Sequence, residues 1–209
     1  MESMECKTCG THYPRPALDK DLICYECEPP FEQRGMKIAI AGRMASGKTT
    51  LAQELVKDFQ RNGQDASIVS LAGKVKEIAT DLFGMTEKNR PLLQQIGMKM
   101  REIEPDVWLD YVIHLADKEQ AKGNIVIVDD VRFVNEAEKL NEKGWKVIKI
   151  TVNEETQMER LKKTYSDWEI HWENRDNPSE KEVDMIDLSI ITCHIGAEDT
   201  LNFETEWLK

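Results

Sequence analysis

Long apolar runs, basic residues and cysteine beyond position 27 are all scarce in this chain of 209 residues. No uninterrupted apolar stretch approaches the roughly 20 residues that a membrane helix needs, so a helical span is excluded and no membrane partner is expected. The N-terminus, MESMECKTCG, lacks the basic and then apolar pattern of a secretory leader, and the expected location is cytoplasmic. Lys and Arg number 28 against 39 Asp and Glu, a formal charge of −11. That deficit weighs against a phosphate-coated polymer as main partner, because polyanion affinity comes largely from cations that displace counterions. It leaves room for a small phosphorylated substrate, which a few placed cations can hold. There is no internal repeat and no low-complexity tract.

What is present divides the chain in two. Residues 1–33 are rich in Cys and Pro, with Glu28-Pro29-Pro30 as a linker, and a different regime runs from 34 to 209. Met36 to Ala41 reads as a short buried strand, and Thr50 to Asn62 as a helix that Asn62-Gly63 stops. Ala66 to Leu71 is the next strand. A helical region follows from about Lys74 to Lys122, broken near Gly84, Pro91 and Pro105. Asn124 to Asp129 is continuous in apolar residues and therefore covered on both faces. A helix over 135–143, a strand over 146–152 and a helix over 154–163 come next. Leu188 to Thr192 is expected as a fifth strand and the C-terminal segment as a helix. Strands alternating with helices predict an α/β fold, a five-stranded parallel sheet wrapped by helices.

Between the first strand and its helix stands Gly42-Arg43-Met44-Ala45-Ser46-Gly47-Lys48-Thr49, a full match to G-x-x-x-x-G-K-[ST] in its required context. The glycines let the backbone curl so that successive N–H groups, those of Ala45 and Ser46 among them, converge on phosphate oxygens. The helix begins at Thr49-Thr50 with its free amides and positive dipole end toward the same anion. Lys48 reaches the β- and γ-phosphates of ATP, and the Thr49 hydroxyl ligates Mg²⁺. Nucleoside triphosphate binding follows. The reaction does not, since switches, motors and kinases share this loop.

The third strand runs into Asp129-Asp130-Val131-Arg132. A carboxylate at the carboxyl end of a strand beside such a loop holds Mg²⁺ or positions an acceptor. Arg132 offers a bidentate fork to a phosphate in the same crevice. At the other end of the chain, Cys6-x-x-Cys9 and Cys24-x-x-Cys27, fourteen residues apart, match a closed four-thiolate Zn²⁺ site that would stabilise residues 1–33. This segment carries three cations against seven carboxylates, so a nucleic-acid contact is not expected of it; a protein contact, a homodimer contact or plain stabilisation is. Cys193 stands alone and is expected as a small, buried residue.

Several strings together resemble the deoxynucleoside monophosphate kinases of bacteriophages, relatives of adenylate kinase and dephospho-coenzyme A kinase. These are the phosphate loop, LAGKVKEIATDLFGM, Leu92-Leu93-Gln94-Gln95-Ile96-Gly97 with Arg101, Pro105-Asp106-Val107-Trp108, and Asp130-Val131-Arg132-Phe133 with Asn135 and Glu136. The resemblance covers roughly residues 36–192. It implies phosphoryl transfer from ATP to a nucleoside 5′-monophosphate, in the host cytoplasm if the chain is viral. By the same resemblance Lys76 and Arg101 line the monophosphate side, Arg132 contacts the acceptor, and Asp129 or Asp130 organises magnesium and acceptor. The stretch 157–175 sits where such kinases carry a lid, with Arg160, Lys162, Lys163 and Arg175 as its candidate cations, Lys162 being read as a solvated surface charge. Two other readings stay open on the residues alone: a kinase of the same fold acting on modified bases in DNA, and a nucleotide-dependent switch that hydrolyses ATP slowly.

Overall fold

The computed structural model describes residues 3–5, 7, 11–14, 35–87, 89–176 and 178–197. Near the N-terminus β1 (Ser3–Glu5) pairs antiparallel with β2 (His12–Pro14), Met4 facing Tyr13 across the ladder. The body of the protein is a five-stranded sheet. It is built from β3 (Lys37–Gly42), β4 (Ala66–Val69), β5 (Ile125–Val131), β6 (Lys146–Thr151) and β7 (Cys193–Gly196), in the order β4-β5-β3-β6-β7. Every neighbouring pair in it is parallel.

Side-chain alternation in β3 explains the layering. Ile38 and Ile40 face one way, onto Leu51, Leu55 and Phe59 of α1 (Lys48–Arg61). Ala39 and Ala41 face the other way. They meet a cluster containing Leu109, Val112 and Ile113 of α4 (Val107–Gln120) and Ala137 and Leu140 of α5 (Val134–Glu142). Large residues on one face and small ones on the other set how close each helix layer comes. Because both faces are covered, β3 is buried along its whole length, including Lys37, whose ammonium pairs with Asp117 at 2.8 Å.

The long helical region resolves into α2 (Gly73–Phe83), α3 (Arg90–Ile103) and α4, close to the expected breaks. Gly84 ends α2 at φ 65, and the Asn89 side chain caps α3 by accepting the Leu92 N–H at 3.1 Å. Val75, Ala79, Ile96 and Trp108 form a separate small cluster that ties α2, α3 and the start of α4 into one lobe beside the sheet. After β6 come α6 (Glu154–Thr164), α7 (Trp168–Glu173), and α8 (Pro178–Lys181), which leads into a one-turn 3₁₀ helix at Glu182–Met185. No helix among the described residues is long and apolar enough to cross a membrane.

One expectation is corrected. Leu188–Ile190 is a 3₁₀ turn, not the fifth strand, which lies further on at Cys193–Gly196 and pairs with Ile148–Thr151. The cause is local: the Asp187 carboxylate accepts the Ser189 N–H at 2.8 Å and tightens the backbone before it can extend. Cys193 is therefore half-buried on an edge strand, its thiol pushed up by burial. The helix expected at the C-terminus and the four candidate zinc ligands, Cys6, Cys9, Cys24 and Cys27, lie outside the described residues.

Candidate active site

At the carboxyl end of β3 the chain turns sharply through residues 43–47 into α1. Ala45 has φ 59 and Gly47 φ 104, the alternation of backbone signs that aims consecutive N–H groups into one concavity. Gly42 has no room for a side chain, since a Cβ there would stand 2.7 Å from Ser46 Oγ and 2.8 Å from the Ile150 carbonyl. Ser46 itself is fully buried, and its hydroxyl has no hydrogen-bond partner among the described residues.

Lys48 lies at the centre of this curl, with 8% of its surface exposed. Its ammonium donates to the Gly42 carbonyl at 2.7 Å and the Arg43 carbonyl at 2.8 Å. Burial lowers its pKa to about 8, the positive charge of Arg132 pushes in the same direction, and Glu180, Asp129 and Asp130 oppose them.

The two carboxylates ending β5 diverge, as successive strand residues must. Asp129 turns to the loop and accepts the Thr49 hydroxyl at 2.7 Å. Asp130 accepts from Ser70 Oγ at 2.6 Å, the Leu71 N–H at 2.9 Å and the Ala72 N–H at 3.0 Å, so it fixes the turn that launches α2. Beyond them, buried Glu136 accepts the N–H groups of Arg132 at 3.0 Å and Phe133 at 3.2 Å. Burial raises the Glu136 pKa against these two bonds and the nearby Arg101 charge. Arg101 lies 3.7 Å from the same carboxylate and over the Phe133 ring at 5.7 Å. Arg101, Asp106, Trp108, Phe133, Asn135 and Glu136 line a cavity of about 210 Å³.

Two residues with no local sequence signal enter the site from the segment after α7. Glu180, 6% exposed, accepts the Met44 N–H at 2.7 Å and pairs with the Arg132 guanidinium. Asp184 accepts from Arg43 Nε at 2.9 Å, and its carbonyl accepts from Lys149 at 2.9 Å.

The expected lid cations are not gathered here. Arg160 donates to the carbonyls of Ser46 at 2.8 Å, Ala45 at 3.3 Å and Ala197 at 2.8 Å, buttressing the outer face of the loop. Gln157 on the same helix does likewise to the Met44 carbonyl at 2.8 Å. Arg175 stacks on Trp172 at 4.1 Å and donates to the Trp172 carbonyl at 2.9 Å. Lys76, Lys163 and Thr50 are exposed.

A family model described as an AAA domain matches residues 38–183, which includes the loop, both carboxylates and Glu180. The chain belongs to the AAA domain family. Among solved structures, this AAA domain is similar to shikimate kinase from Aquifex aeolicus vf5, at 20% identity over 78% of this chain and 87% of that one, with a TM-score of 0.45. It is similar to a sugar kinase from Janibacter sp. HTCC2649, at 16% identity over 83% and 94%, TM-score 0.49. The Mycobacterium tuberculosis APS kinase CysC in complex with AMPPNP and APS is similar at 12% identity over 84% and 98%, TM-score 0.44. No curated protein matches the chain.

Proposed function

We propose that this chain moves the γ-phosphoryl group of ATP to a (deoxy)nucleoside 5′-monophosphate. The observation that carries the reading is that Arg132 is brought to the loop that holds Lys48, because the buried Glu180 carboxylate accepts the Met44 N–H at 2.7 Å and pairs with the Arg132 guanidinium. Two cations held against their mutual repulsion suit a site through which an anion passes. On the loop side, Gly42, Ala45, Ser46, Gly47, Lys48, Thr49 and Thr50 bind the triphosphate. Thr49 and Asp129 suit Mg²⁺, since their hydroxyl and carboxylate already meet at 2.7 Å and offer the hard oxygen donors it prefers. When bound, magnesium neutralises charge on the phosphates.

The acceptor lies on the other side. Its phosphate meets Arg132 and Arg101, its base enters the cavity beside Trp108 and Phe133, and Lys76 approaches from α2. Asp130 serves the acceptor by fixing the start of α2, which carries Lys76. Lys163, Arg175 and the exposed edge of α6 supply cations on closure.

We also propose that Cys6, Cys9, Cys24 and Cys27 hold Zn²⁺ as four thiolates; Cys6 and Cys9 fall between the antiparallel partners β1 and β2.

A coupled turnover assay with ATP and each common ribo- and deoxyribonucleoside monophosphate tests the reading. Turnover that depends on one of the monophosphates is expected. ATP hydrolysis indifferent to all of them would favour a nucleotide switch instead.

A further inference from the structure

The Glu180 carboxylate holds a loop amide and a guanidinium at once. Its Oε2 accepts the N–H of Met44, the third residue of the phosphate loop, at 2.7 Å, and its Oε1 pairs with Arg132. Its negative charge is also felt by Lys48. A loop amide, a guanidinium and the loop lysine are the three kinds of donor that stabilise a transferring phosphoryl group. The first two meet directly on a carboxylate buried to 6% exposure, and the third lies in the same loop. From this geometry we infer that Glu180 is an internal phosphate mimic: with no nucleotide bound it closes the site, and the γ-phosphate of an arriving triphosphate must expel it. The inference rests on the triphosphate-binding part of the function proposed above, and not on the identity of the acceptor.

The chain is built to hold this carboxylate in place and still release it. Downstream of Glu180, Val183 and Ile186 are buried in the core at 1% and 2% exposure, and Asp184 is pinned by Arg43 and Lys149. These anchors do not have to move. The carboxylate itself is carried by α8, a four-residue helix, so a local shift at Pro178–Lys181 clears the loop while the anchors stay. The carboxylate pairs directly with Arg132, and together with Asp129 and Asp130 it offsets the Arg132 charge at Lys48. A phosphate and a carboxylate cannot share the position, because like charges at hydrogen-bond distance in a buried site repel strongly. The triphosphate therefore binds with an affinity reduced by the latch, as for any ligand whose competent state is only partly populated.

The probe is inorganic tripolyphosphate with Mg²⁺, which engages the loop without a base or an acceptor, read by calorimetry on the full chain. Glu180→Gln keeps the size and an oxygen for the Met44 N–H but removes the charge. It is expected to tighten tripolyphosphate binding by about tenfold or more, the shift of one decade for each 1.4 kcal/mol of lost competition. Unchanged or weaker binding in Glu180→Gln, with Lys48→Ala still abolishing it, overturns the latch and makes Glu180 a fixed support for Arg132. Binding that survives Lys48→Ala overturns the phosphate-loop reading itself, and the latch with it. Hydrogen exchange on the wild-type chain needs no variant. Saturating tripolyphosphate should slow exchange across residues 43–49 and speed it across 179–182. Slower exchange in both segments means that α8 closes over the ligand, and the inference fails.

Discussion

The hydroxyl of Thr49 and the carboxylate of Asp129, 80 residues apart in sequence, meet at 2.7 Å where α1 begins beside the end of β5. The pair joins the phosphate loop to the neighbouring strand through two side-chain oxygens. Asp129→Asn keeps the size and an oxygen for the Thr49 hydroxyl but removes the negative charge that a divalent cation would meet. A fall in kcat of about 10²-fold is expected, with a raised magnesium requirement, in steady-state assays over a magnesium titration. An unchanged magnesium dependence would detach Asp129 from the metal.

Lys48 carries the pH signature. Its pKa of about 8, lowered chiefly by burial, lies below the ordinary lysine value of 10.5, and bound phosphates would favour the charged form. Nucleotide affinity should therefore be nearly flat below pH 7 and fall roughly tenfold between pH 7 and 9, with proton uptake on binding that shows in calorimetry across buffers. Folding stability runs the opposite way. The unfolded lysine holds its proton up to 10.5 while the folded one releases it near 8, so this group adds stability as pH rises through that window. Lys48→Met should remove both trends.

Arg101 and Lys48 should separate in kinetics. Arg101→Met leaves the phosphate loop intact but strips the cavity beside Phe133 of its guanidinium. Its KM for the monophosphate is expected to rise roughly tenfold or more, with the Kd for ATP unchanged, since a charge-assisted contact to one substrate alone is lost. A parallel loss of ATP affinity would move Arg101 to the other side of the reaction.

Gly42 tests the loop's backbone. A methyl group there meets Ser46 Oγ at 2.7 Å and the Ile150 carbonyl at 2.8 Å, the latter in backbone that cannot step aside. Gly42→Ala should cost about 1–3 kcal/mol in denaturant titration, in the range of other overpacked sites. Gly63→Ala, at φ 75 with open space around it, costs backbone strain alone and serves as the comparison.

Metal content settles the N-terminal cysteines. Full-length protein purified without added metal is expected to carry one zinc by elemental analysis. Cys6→Ser with Cys24→Ser should lose it while leaving monophosphate turnover in place, because closed thiolate sites are structural.

Sequence made the sheet legible where burial and periodicity agree. The apolar runs at 36–41 and 124–129 became central strands because both their faces are covered. It failed at Leu188–Ile190, where β-branched composition favoured a strand and one side-chain bond from Asp187 decided otherwise. The phosphate loop was readable because its chemistry is carried by consecutive residues. Glu180 was not: it touches Met44 from 136 residues away and Arg132 from 48, in a polar stretch with no period. Arg160 was misplaced in emphasis for the same reason. A cation in a lid-like segment looks the same in sequence whether it faces a ligand or the back of a loop, and here it holds three main-chain carbonyls.

Asp129 and Asp130 are separated by a single peptide unit, about 3.8 Å from Cα to Cα. One grips the rim of the phosphate loop, and the other suspends the α2–α4 lobe from Ser70, Leu71 and Ala72. The lobe therefore hangs from the tip of β5 like a gate from its post. The placement of that one strand end therefore sets the lobe and the phosphate loop relative to each other.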